Sequence, residues 1–234
     1  MISSIPKWVS HLFGNTMLPN VKVLEVHNIS LKIKKIRFRG DLSKWDFHTG
    51  YASVIRVSET EFRNYTVAYH DRVKGFFDII FHIHGNAIGS RFIDDLKPGD
   101  ELFVSAPRGK KMYESDGVKQ FIFGDETSLG LACAFIPVLN QHQFQFYFEL
   151  DAANKNVPLL LGLENFTVFP KNGSFQNENW INDLPVFKTA GWQDANFVLT
   201  GNAKSVQNFK KVLKKWDAGK IATQGYWLEG KKGL

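Results

Sequence analysis

One cysteine, Cys133, stands in a chain of 234 residues. That excludes an internal disulfide and any metal cluster built on several thiolates. Long hydrophobic runs are also missing: none approaches the roughly 20 residues of a membrane span. The N-terminus has no apolar stretch followed by a small-residue cleavage site, so no secretory signal is read and a cytoplasmic location is expected by elimination. An acidic excess is lacking too, the formal charge being +6 and the pI near 9.3. The basic residues are dispersed. Their densest group, Lys32, Lys34, Lys35, Arg37 and Arg39, alternates with Leu31, Ile33, Ile36 and Phe38 as on an ordinary strand. A solvated strand face, or a surface attracting anionic small molecules, accounts for it, and no nucleic-acid partner is expected.

What the chain does contain is 44% hydrophobic residues, enough for one large or two modest globular domains. Ser3-Ser4-Ile5-Pro6 through Phe13 and Gly14 reads as a short capped helix, an N-terminal extension over 1–17. From Val21 to Phe103 the apolar period is two, with strands expected at 51–57, 65–69, 76–84 and 101–104. Turns are expected at Asp41, at 71–75 and at Lys97-Pro98-Gly99-Asp100. The apolar parity changes between Ile33 and Ile36, which predicts a β-bulge at Lys34–Lys35. These signals describe a small antiparallel barrel over 18–112. From 113 to 234 strands alternate with helices: strands at 120–123, 144–150, 166–169 and 197–199, helices at 127–140 and 204–216, and loops over 171–195. This is the pattern of an α/β domain with a parallel sheet. The fold class is therefore α+β in two domains, a β-barrel followed by a small α/β unit whose junction could hold two planar cofactors.

Four constellations carry chemistry. Arg63-Asn64-Tyr65-Thr66 offers a guanidinium, an aromatic face and a hydroxyl within about 10 Å at strand rise. Arg63 suits a pyrophosphate, Tyr65 can stack on an isoalloxazine and Thr66 can reach its polar edge, so a flavin dinucleotide fits; an ordinary strand fits as well. Arg63 and Tyr65 share one strand face and Thr66 takes the other, so the strand must twist or end near Thr66. His84-Gly85 with Gly89-Ser90-Arg91-Phe92 follows, where glycine permits close backbone approach and Ser90, at a turn, can donate to phosphate. His82, His84 and Asp78 share a parity that could instead make a metal site, although Asp78 lies about 13 Å from His82 along a strand. Gly124-Asp125-Glu126-Thr127-Ser128 ends a strand and opens a helix, a position suited to phosphate or ribose, or to simple N-caps. Gly201-Asn202 repeats that geometry at the same sheet edge.

Taken in order, Arg63-x-Tyr65-Thr66, His84-Gly85 with Gly89-Ser90, Pro98-Gly99-Asp100, Gly124-Asp125-Glu126-Thr127 and Gly225-Tyr226-Trp227 with Gly230 resemble the siderophore-interacting proteins, ferric-siderophore reductases among the ferredoxin-reductase-like flavoenzymes. The resemblance runs from about residue 18 to the C-terminus. It implies an FAD-dependent oxidoreductase that passes electrons from NAD(P)H to ferric iron in an anionic siderophore chelate; separately, a monomer is expected. By that resemblance Arg63, Tyr65, Thr66, His84, Gly85, Gly89, Ser90 and Phe92 would hold FAD, with Tyr65 and Thr66 nearest the chemistry. Gly124, Asp125, Glu126, Thr127, Ser128, Gly201 and Asn202 would face NAD(P)H, and Tyr226 and Trp227 the flavin or the substrate. No resident metal is implied. The chain departs from the pattern at Ala68, Phe92, Ser128-Leu129-Gly130, Asn202 and Leu228-Glu229, where the family favours Arg, Trp, Ala-Leu-Pro, Glu and Arg. A general flavin reductase or electron-transfer partner, or a non-enzymatic flavin- or iron-binding module, are the alternatives. Lys204, Lys210 and Lys211 leave NADH and NADPH equally open.

Overall fold

Period-two alternation and strand–helix alternation give two sheets of opposite kinds. The structure, a computed structural model, describes residues 18–113, 118–139 and 143–231; the expected helix within 1–17 lies outside them. Two compact units divide between Lys111 and Met112.

The N-terminal unit is an antiparallel sheet of β1 (Val21–Asn28), β2 (Ile33–Gly40), β3 (Ala52–Arg56), β4 (Phe62–Asp71), β5 (Phe76–His82) and β6 (Glu101–Leu102), ordered β3-β4-β5-β2-β1-β6. The sheet closes into a barrel where the chain after β6 seams onto β3, through the bridges Ile55–Val104 and Ala52–Arg108. Inward residues form one core, including Val21, Val23, Ile36, Phe38, Ile55, Phe77, Ile79 and Phe81. Phe38 and Phe77 stack at 5.2 Å within it. Helix α1 (Ile88–Asp95) adds Ile93 to this core, and Leu96 follows from its C-terminal end.

The bulge expected on β2 is absent, since β2 pairs with β5 in unbroken register from Ile33–His82 to Arg39–Phe76. The parity change has another cause. Ile33 and Ile36 are both fully buried, but only Ile36 belongs to the barrel core, so both faces of β2 are covered there. The bulge lies across the ladder on β1, between Val23 and Glu25, and lets Val26 pack on the same core as Val21 and Val23.

The second unit carries five parallel strands, β7 (Gln120–Gly124), β8 (Phe144–Leu150), β9 (Phe166–Pro170), β10 (Asn196–Asn202) and β11 (Ile221–Trp227), in the order β11-β10-β7-β8-β9. Strand order reverses at β7, so the switch point of the sheet lies between β7 and β10, where ligands of α/β proteins bind at the carboxyl ends. Helix α2 (Leu129–Leu139) follows β7, and α3 (Ala203–Lys215) follows β10. Phe209 of α3 meets Phe121 and Phe123 of β7 at 5.7 and 5.2 Å. The stretch 171–195, expected as loop, contains helical turns at 174–176, 178–182 and 185–188. Each is too short to show a period, yet Phe175, Ile181, Leu184 and Val186 are buried by them. No helix among the described residues is long and apolar enough to cross a membrane.

Candidate functional site

Strand β4 does not end at Thr66; it changes partner there. Phe62 to Thr66 pair with β3, and Val67 to Asp71 pair with β5, with a register shift between Val67 and Tyr69. The register shift falls at Ala68. Arg63 lies opposite Ile55 and Tyr65 opposite Ser53, both fully buried, so Arg63 and Tyr65 start from the inner face of the barrel. Tyr65 packs edge-on against Phe81 at 4.6 Å. Burial pushes its hydroxyl up to about 12, against a smaller opposing pull from Arg63, so the phenol stays protonated. Thr66 lies on the other face, opposite Ala52 and half-buried.

Gly89 and Ser90 form no open turn but the first turn of α1. A methyl group at Gly89 would stand 3.1 Å from Cγ of Arg63 and 3.4 Å from the Tyr65 hydroxyl. Glycine here lets a helix N-terminus rest on both side chains. The N-cap is Ala87, whose side chain can accept nothing, and no acid occupies the first turn. A helix start with its amide donors and positive dipole end thus meets a guanidinium, the donor set an anionic diphosphate requires. This arrangement fits a flavin dinucleotide. The Ser90 hydroxyl is committed locally: it donates to His84 O at 3.0 Å and accepts from His84 N at 3.2 Å. It therefore fixes the loop of His84 and Gly85, whose φ is +56°, to the helix. The His84 ring is exposed and Phe92 half-buried against the barrel core. Asp78 is engaged elsewhere, its carboxylate pairing with Arg37 at 2.7 and 2.9 Å, so it does not serve His82 and His84 as a third ligand.

At the switch point of the parallel sheet the second cluster is more inward than its sequence suggests. Asp125 is buried and accepts four hydrogen bonds, from N and Oγ1 of Thr127, from Asn202 N at 2.9 Å and from Trp227 Nε1 at 2.6 Å. An ionised carboxylate has about four such sites, so this one is full. Burial raises its pKa, against the Lys171 charge and the Thr127 and Trp227 donors. Glu126 is equally buried and accepts from Asp151 N at 2.7 Å, from Asn154 Nδ2 at 3.2 Å and from Lys171 Nζ. Burial alone would raise its pKa, but the Lys171 ammonium and these bonds outweigh it and hold the group below its ordinary value. Ser128 accepts from the buried Thr200 hydroxyl at 2.8 Å. Gly201, at φ +100°, lies so close to Asp125 that a Cβ would stand 2.7 Å from its carboxyl carbon. Asn202 caps α3, its side chain accepting from Lys204 N and Ser205 N. The turn thus ties β7, β10 and β11 together, and its two carboxylates point to protein donors. Tyr226 is half-buried, and the Trp227 ring is held by Asp125 with Lys171 Nζ 5.3 Å from its centroid.

Sequence reasoning missed Lys171, Glu149, Thr200 and Glu61. Glu149 is buried and accepts from Ser205 at 2.8 Å. Glu61 pairs with Arg63 at 2.5 Å; it stands just before β4, and its spacing of two from Arg63 is the local signal that could have found it.

Residues 20–113 match the family model of the oxidoreductase FAD-binding domain. Among solved structures, the chain is similar to a siderophore-interacting protein of Acinetobacter baumannii, at 14% identity, TM-score 0.73 and 92% coverage of each chain. A siderophore utilization protein of T. fusca is similar at 21% identity and TM-score 0.74, over 93% of this chain and 97% of that one. Phthalate dioxygenase reductase is similar at 14% identity and TM-score 0.75, over 93% of this chain and 70% of that one. At these identities the likeness is one of fold, a ferredoxin-reductase-like pair of FAD-binding barrel and parallel α/β unit. No curated protein matches the sequence.

Proposed function

We propose that this chain is an FAD-dependent oxidoreductase that passes electrons from NAD(P)H to ferric iron in an anionic siderophore chelate. The observation that carries the flavin part is the meeting of Arg63, Tyr65 and the first turn of α1 at Gly89. In this reading residues 18–112 hold FAD and 113–234 hold the nicotinamide nucleotide, in a cytoplasmic monomer. Arg63 and the α1 amides bind the pyrophosphate, Tyr65 supplies a fixed, protonated ring beside it, and Thr66 stands nearest the reacting edge. The flavin, when bound, supplies the change from two-electron to one-electron transfer. The siderophore acceptor is supported by the names of two of the similar folds and by the order of the motifs.

Purified protein should be yellow, and anaerobic mixing with NADH or NADPH should bleach it. A colourless protein that FAD cannot reconstitute would sink the reading. Turnover against ferric siderophores, free flavin and ferricyanide separates it from a second reading, a general flavin reductase or electron-transfer partner. That second reading is favoured by Leu228-Glu229 after the closing aromatic pair, where a basic contact to an anionic chelate is missing. A flavin that no nicotinamide nucleotide bleaches would instead mark a non-enzymatic binding module.

A further inference from the structure

We propose that Glu61 acts on Arg63 as a positioning residue that loosens the hold on the flavin pyrophosphate, making FAD an exchangeable partner of this protein. The inference rests on the reading above, that Arg63 is the pyrophosphate anchor.

The guanidinium of Arg63 lends both terminal nitrogens to the protein. Nη1 donates to Phe62 O at 2.8 Å and Nη2 to Glu61 Oε2 at 2.5 Å. Both charged side chains are about a quarter exposed, at 26% and 25%, so water screens the pair only in part. Glu61 is delivered there by a locked turn. Its amide donates to Ser58 Oγ at 3.1 Å, and its carbonyl accepts from Val57 N at 2.9 Å and Ser58 N at 3.4 Å. The backbone cannot carry the carboxylate away from Arg63; only side-chain rotation can.

Bidentate binding of a pyrophosphate needs the flat fork of the guanidinium. Here that fork already faces a carboxylate and a carbonyl. An incoming diphosphate must therefore either displace Glu61 or settle beside it on one guanidinium, with like charges close together. Each route lowers affinity, and neither touches a flavin without a pyrophosphate. Removing the charge while keeping an acceptor at position 61 leaves Arg63 oriented and removes the competition.

The test is titration of the flavin-stripped full chain with FAD and with riboflavin, followed by flavin fluorescence. Glu61→Gln should tighten FAD about tenfold and move riboflavin less than about twofold. Glu61→Asp, which keeps the charge, should stay within about threefold of the natural protein for both. Arg63→Ala should erase the preference for FAD over riboflavin. If Glu61→Gln leaves FAD binding unchanged or weaker while Arg63→Ala still erases the preference, the proposal fails and the anchor stands. If Arg63→Ala keeps the preference, the anchor is misassigned and the proposal falls with it. Should Glu61→Gln not fold, Glu61→Ala removes the same charge and is read by the same FAD-to-riboflavin ratio.

Discussion

The indole of Trp227 donates to the buried carboxylate of Asp125 at 2.6 Å, joining positions 102 residues apart. The same oxygen accepts from Asn202 N, so one carboxylate fastens the carboxyl ends of β7, β10 and β11. A turn that reads in sequence as a nucleotide contact is thereby also the clasp of the sheet edge on which a nucleotide would lie.

Asp125→Asn tests the clasp. An amide accepts on one side only, and its NH2 would face either Trp227 Nε1 with Asn202 N or the Thr127 amide, donor against donor. The expected loss is about 2–4 kcal/mol of unfolding free energy, measured by urea titration. Emission of the indole at 227 should shift with it at low urea, before unfolding begins. Unchanged stability and emission would show that the Asp125 bonds add nothing.

Gly89→Ala should separate flavin binding from stability. Helical glycine is about 0.8–1 kcal/mol worse than alanine, which offsets the tight 3.1 Å approach to Arg63. The melting temperature should therefore move by no more than a few degrees, while FAD affinity falls at least severalfold as Arg63 and Tyr65 are pushed out of place. An unaltered flavin affinity would mean that α1 does not share a ligand with Arg63.

Lys171 faces the buried Glu126 and lies close enough to Asp125 for that charge to raise its own pKa against the effect of burial. Lys171→Met leaves those carboxylates without their ammonium. Breaking a buried pair in this way costs about 3–5 kcal/mol. Glu126→Gln in the same background should restore part of that loss, a coupling read from a double-mutant cycle of urea midpoints.

The architecture was legible wherever one period ran long enough. The barrel strands show it, and Phe144–Leu150 shows it along its whole length. Helix α1 was not, because eight residues opening on Ile88-Gly89-Ser90 look like a turn until the Ser90 bonds to His84 are known. The parity change on β2 does not mark a bulge there, which lies on β1 instead, since a covered outer face and a register slip produce the same change of parity. In the site, Arg63 and Tyr65 were readable because strand alternation is local. The partners of Asp125 were not, because Asn202 and Trp227 lie 77 and 102 residues away and only the strand order brings them together.

Glu149 gives a prediction in pH. It is buried, with the Ser205 hydroxyl donating to it and the acidic neighbours Asp125 and Glu126 alongside, and burial raises its pKa above 4.5 while Ser205 and Lys171 pull the other way. Below about pH 4.5 it is protonated in both the folded and the unfolded chain, and its contribution to stability is fully present. As pH climbs, the unfolded chain releases this proton first while the folded one retains it, so stability falls until the folded group also ionises. Glu149→Gln removes that fall. The variant should therefore gain stability over the natural protein at pH 8 and little at pH 4.5. Urea midpoints at several pH values measure the difference. A gain of the same size at every pH would assign the effect to packing instead of ionisation, and a loss at pH 8 would show that the carboxylate is stabilised in place.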